Sequence, residues 1–137
     1  MTANYKAFAN SGGTAPEWAI GYKIGTLTRA MAGNSGDVSY TGCGFKPSYI
    51  VFLSQSNSGS ISIGFDNITA KYAITVWGTS VPYYSSTAVL SISMIEAADK
   101  MQTGVIKTFD TDGFTITWTK TGSPATADGT IFYMAFR

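Results

Sequence analysis

The side chains of this sequence that could do chemistry are few and widely spaced. There is no histidine, which removes the commonest general base, the Ser-His-Asp and Cys-His arrangements, and most zinc and iron sites. Acid–base work would rest on eight carboxylates: Glu17, Asp37, Asp66, Glu96, Asp99, Asp110, Asp112 and Asp128. Glycoside hydrolysis needs two of them on facing positions, whereas these mostly fall at strand ends and turns, where Asp caps loops. The closest grouping, Asp110-Thr111-Asp112-Gly113, offers the clustered oxygens that calcium takes. A strand-like Phe114-Thr115-Ile116-Thr117 follows at once, however, so a tight hairpin is expected there, with Asp-Gly supplying the positive φ. Gly42-Cys43-Gly44-Phe45-Lys46-Pro47 lacks phosphate-binding spacing and a following helix; it reads as a bend into a strand opened by Pro47. The expectation is a protein with no catalytic residue, no metal and no cofactor.

Recognition by aromatic rings is the chemistry that remains. The stretch Trp77-Gly78-Thr79-Ser80-Val81-Pro82-Tyr83-Tyr84-Ser85-Ser86 is the richest in rings and hydroxyls. Trp77, Tyr83 and Tyr84 are the candidate contacts to a sugar or receptor, with Trp118 a further ring that could stack if exposed; packing in a core or between subunits is the plainer account of the same rings. A second set, Tyr5, Phe8 and Trp18, flanks the linker-like Ser11-Gly12-Gly13-Thr14-Ala15-Pro16. Residues 1–19 therefore read as an N-terminal arm, and those three aromatics as its candidate attachment points on a neighbouring protein.

The elements that must position these residues are strands. Hydrophobic residues make up 45% of the 137 and charged residues only 12%, so polarity comes from Ser and Thr, a composition suited to short strands and polar turns. Residues 20–137 divide into runs near 20–29, 37–41, 48–55, 60–66, 71–78, 87–95, 104–109, 113–120 and 129–136, separated by Gly, Asn, Asp and Pro. The fold class expected is all-β: one antiparallel β-sandwich or jelly-roll-like domain preceded by the short arm. Ile61-Ser62-Ile63-Gly64-Phe65, Leu90-Ser91-Ile92-Ser93-Met94 and Phe114-Thr115-Ile116-Thr117-Trp118 alternate large apolar with small residues, and each should bury one face only. Tyr49-Ile50-Val51-Phe52-Leu53 and Ile131-Phe132-Tyr133-Met134-Ala135-Phe136 are apolar throughout, so both faces should be covered, the second by a neighbouring subunit. Glu96-Ala97-Ala98-Asp99-Lys100 is the stretch that could make a helical turn.

The formal net charge is +1 and the nine basic residues are scattered, which argues against a nucleic-acid partner. A lone cysteine, Cys43, permits no intrachain disulfide and reads as a small buried apolar residue. No leader-like start and no run of about 18 apolar residues is visible, so the expectation is no membrane insertion and synthesis as a soluble chain in a cytoplasm.

Several motifs, in order, carry a resemblance. Gly36-Asp37-Val38-Ser39-Tyr40-Thr41-Gly42, Gly44-Phe45-Lys46-Pro47 leading into an apolar strand, Ser62-Ile63-Gly64-Phe65-Asp66, Phe109-Asp110-Thr111-Asp112-Gly113-Phe114-Thr115-Ile116-Thr117-Trp118 and Tyr133-Met134-Ala135-Phe136-Arg137 together resemble a small β module of tailed-bacteriophage structural proteins, over roughly residues 24–137. The resemblance implies a β-sandwich or jelly-roll-like module, oligomeric and often trimeric, on the virion surface or at a tail-fibre tip. The chain has no heptads or Gly-X-Y shaft, which favours capsid decoration, with other virion proteins as partners, over a tail-fibre module adhering to host-surface glycans. A free lectin-like carbohydrate-binding domain is the third reading.

Overall fold

The computed structural model describes residues 21–78, 83–125 and 127–137, without the side chains of residues 83–85. Ten strands follow one another: β1 Tyr22–Ala30, β2 Gly36–Thr41, β3 Tyr49–Gln55, β4 Ile61–Asp66, β5 Lys71–Trp77, β6 Tyr83–Thr87, β7 Ile92–Ala97, β8 Lys100–Asp110, β9 Gly113–Thr121 and β10 Asp128–Phe136. They form two antiparallel sheets. Sheet A has the order β1-β10-β3-β4-β5-β6 and sheet B the order β2-β9-β8-β7. The protein is thus an all-β sandwich, and no helix occurs among the described residues.

The core lies between the sheets. Ile50 and Phe52 of β3 and Ile131, Tyr133 and Ala135 of β10 meet Ile92 and Met94 of β7, Ile106 of β8, and Phe114, Ile116 and Trp118 of β9. Strand periodicity explains this directly: every second residue of β3 and β10 is buried and its neighbours face outward. Phe114 sits edge-on to both Phe52 (centroids 6.1 Å) and Tyr133 (5.2 Å), joining the layers through aromatic contacts.

Four sequence expectations change. The run 90–94, expected to bury one face only, is buried on both from Ser91 to Met94. The stretch 83–86, expected as loop with a strand starting at 87, belongs to the edge strand β6, which ends at Thr87. Residues 96–100 form no helical turn; Ala98 and Asp99 make the tight turn joining β7 to β8. The β8–β9 hairpin closes as expected, with Asp110 opposite Gly113, but its two turn residues, Thr111 and Asp112, need no positive φ. Gly113 is instead required by close approach, since a Cβ there would lie 1.9 Å from the Tyr40 carbonyl oxygen.

Strand β4 sets the arrangement that matters most below. It buries one face only, as its alternation requires, and that face is the small polar one: Ser62, Gly64 and Asp66 point inward while Ile61, Ile63 and Phe65 point out. Backbone proximity is the reason. A Cβ on Gly64 would lie 2.0 Å from the Ser91 carbonyl oxygen, so no large side chain fits between β4 and the start of β7. Asp66, fully buried, fills the seam: its carboxylate accepts hydrogen bonds from the Ile106 amide (2.9 Å), the Ile68 amide (2.6 Å) and the Ser91 hydroxyl. Ser56 and Ser60 extend the polar seam toward Ile95. The Ser60 hydroxyl accepts from the Ile95 amide (2.9 Å) and the Ser56 hydroxyl donates to the Ile95 carbonyl (3.1 Å).

Candidate functional site

The aromatic candidates do not assemble into one platform. Trp77 ends β5 half-buried, and β6 sets position 83 opposite Trp77 and position 84 opposite Val76. Adjacent strand positions belong to opposite pleat faces, so 83 and 84 fall on different sides of sheet A; the side chains of Tyr83 and Tyr84 are outside the described residues. Trp118 is no exposed ring. It is 1% accessible, donates its indole N–H to the Tyr40 hydroxyl (3.2 Å), and is covered by the Arg29 guanidinium 4.9 Å from its ring centre. Tyr5, Phe8 and Trp18 lie outside the described residues.

The carboxylates are tied into structure. Asp112 accepts from the amides of Gly42 (3.1 Å) and Gly44 (2.5 Å), and its carbonyl from the Cys43 amide (3.1 Å), fastening the bend before β3 to the hairpin. Asp110 accepts from the hydroxyls of Thr108 (2.9 Å) and Thr115 (2.8 Å). Glu96 accepts from the Ala125 amide (2.7 Å). Among the described residues no group of three or more His, Cys, Asp or Glu side chains converges. Cys43 is buried, and that burial pushes its thiol above the ordinary range, away from the thiolate that a nucleophile needs.

The surface feature that demands explanation is the outer face of sheet A. Register runs four uncharged rows across it, apolar in the middle and bordered by Thr, Gln and Ser along one side: Tyr22–Phe136–Tyr49, then Ile24–Met134–Val51–Phe65–Tyr72, then Thr26–Phe132–Leu53–Ile63–Ile74–Ser86, then Thr28–Thr130–Gln55–Ile61–Val76. Ile63 and Ile74, at the middle of the third row, are 58% and 62% accessible. No Asp, Glu, Lys or Arg occurs in these rows. Tyr49 stacks on Phe136 (centroids 4.4 Å, 4° between planes) and Phe65 lies against Tyr72 (5.1 Å), forming two ridges. A groove of about 320 Å³ runs among Tyr49, Val51, Ile63, Phe65, Tyr72 and Ile74. The two fully apolar strands, β3 and β10, are neighbours in this sheet, so their second faces merge with those of β4 and β5. Sequence reading found half of this face from β3 and β10. The other half, from β4 and β5, carries no local signal, because Ser62, Gly64 and Asp66 in phase read as the solvent side of β4 and are its buried side.

Sheet B presents the opposite surface. Asp37 on β2 pairs with Lys107 on β8 and accepts from the Thr117 hydroxyl (2.6 Å) on β9. Both interactions hold its carboxyl below the usual range, the Lys107 contact first. Ser39 and Thr115 share a hydroxyl hydrogen bond of 2.8 Å. At one end Arg29 donates to Gln102 (3.2 Å) and to the Asn34 carbonyl (2.6 Å), and the fully buried Gln102 donates to the carbonyls of Met31 (2.9 Å) and Gly33 (2.6 Å), so the β1–β2 connection is locked.

Compared with family models, curated proteins and solved structures, the chain matches none. Among the described residues no helix is long and apolar enough to cross a membrane.

Proposed function

We propose that this chain is a non-catalytic structural module of a tailed-bacteriophage particle, a capsid decoration protein that displays sheet B outward and buries sheet A in the assembly. The observation that carries this reading is the division of the surface: one sheet ends in a charge-free, largely apolar face, the other in a mixed face where Ser and Thr hydroxyls and one ion pair stand beside Val105 and Met101. A soluble monomer rarely carries an apolar patch beyond about 300–600 Å², whereas a subunit with one covered and one displayed face is what a particle surface requires. The motif order of the sequence supports placing it on a phage virion. In this reading the module is a homo-oligomer, a trimer by the resemblance, and residues 1–18 join it to another virion protein through Tyr5, Phe8 and Trp18. Deleting residues 1–18 should leave a folded oligomer missing from purified particles. Normal incorporation of the truncated chain would contradict the role of the arm, and absence of the intact chain from particles would contradict the reading itself.

A tail-fibre-tip role is the second reading, favoured by the register pair of Trp77 and position 83 at the sheet edge. If it holds, Tyr83→Ala with Tyr84→Ala abolishes adsorption to host cells or glycans and leaves particles intact; decoration predicts no adsorption defect.

A further inference from the structure

We infer that the outer face of sheet A is a self-interface, buried in solution against the same face of further copies of this chain. The inference rests on reading the chain as an assembly module, and it names the partner.

Area is the first argument. The large apolar side chains exposed on this face leave on the order of 1,000 Å² open to water, close to the roughly 800 Å² per partner that a stable interface buries. A second copy supplies a matching face of the same extent.

Charge is the second. A symmetric contact sets like residues near like, which repels wherever a charge lies inside the patch. The four rows of this face contain none, so self-contact carries no such penalty. Shape agrees, because the Tyr49–Phe136 ridge stands beside the groove lined by Val51, Ile63, Phe65 and Ile74, a knob beside a hole on one surface.

The third argument is the inversion of β4. Crowding at Gly64 forces small residues inward, but it does not require Ile61, Ile63 and Phe65 outside. Sheet B shows that this chain can place Ser and Thr on an outer face, with Ser39 on β2 and Thr117 and Thr119 on β9. Large apolar residues on the outside of β4 serve a face that is covered.

Sedimentation of the full chain at about 10 μM tests this, beside Ile63→Asp on the face and Thr119→Asp at an exposed position of sheet B as control, with circular dichroism verifying the fold. The expected result is an oligomer for the wild type and Thr119→Asp, and a folded monomer for Ile63→Asp, an association at least ~100-fold weaker from burying an unpaired charge. If Ile63→Asp fails to fold, Ile74→Ser, at the most exposed large apolar residue of the rows, replaces it with the same expectation. An oligomer that persists with the face altered overturns the assignment. A monomeric wild type also overturns it; if deletion of residues 1–20 then causes aggregation, the chain's own arm is the cover, and if the monomer still enters particles, another virion protein is. In both of those outcomes the particle reading survives, and it fails separately if the chain is absent from particles.

Discussion

The outer face of sheet A and the outer face of sheet B are built on the same kind of antiparallel scaffold from the same pool of residues, yet they end in opposite chemistries. On β9 the pleat places Phe114, Ile116 and Trp118 in the core and Thr115 and Thr117 on the other side. On β4 it places Ile61, Ile63 and Phe65 outside and Ser62, Gly64 and Asp66 inside. Both strands alternate equally well. Alternation therefore tells which residues share a face and is silent about which face turns inward; that choice belongs to the neighbours, here the close backbone of Ser91.

The largest expected effect comes from attacking the polar seam that holds β4 in this orientation. Asp66→Ala leaves the amides of Ile106 and Ile68 and the hydroxyl of Ser91 without their acceptor in a buried site. Unsatisfied buried donors cost about 1–3 kcal/mol each, so a loss of about 3 kcal/mol or more is expected in denaturant unfolding. A loss below about 1 kcal/mol would mean that the seam does not orient β4.

A smaller effect, of opposite sign, sharpens the same contrast. Ser54 and Ser62 are register partners on the inner face, and neither buried hydroxyl finds a hydrogen bond among the described residues. Ser54→Ala removes one of these hydroxyls at no cost in pairing and should be neutral or stabilising by up to about 1 kcal/mol. A clear drop in melting temperature would show that Ser54 is bonded in solution.

Much of the fold was legible because its signals are local. Nine of the ten strands lie where apolar and polar runs alternate between turn residues, and the β8–β9 hairpin follows from Asp110–Gly113. What was illegible depends on distant neighbours. Strand β6 consists of Tyr, Ser and Thr that pair with β5 at a sheet edge, and nothing within residues 83–86 separates that from a loop. Trp118 stands in phase with Phe114 and Ile116 and is buried with them, which the alternation of β9 announces; no local pattern reports that Arg29, from a strand in the other sheet, closes over its ring. The apolar face was half legible: the unbroken apolar runs of β3 and β10 announce a second covered side, whereas β4 hides its contribution inside an ordinary alternation.

The central claim, that sheet A is covered and sheet B displayed, is tested most directly by carbene footprinting of the wild-type full chain at tens of micromolar. The account predicts strong protection of the peptides carrying Leu53, Ile63, Phe65 and Tyr72, lost on dilution, with those carrying Asp37 and Thr117 labelled freely at every concentration. Free labelling of the Ile63 and Tyr72 peptides at high concentration would contradict it.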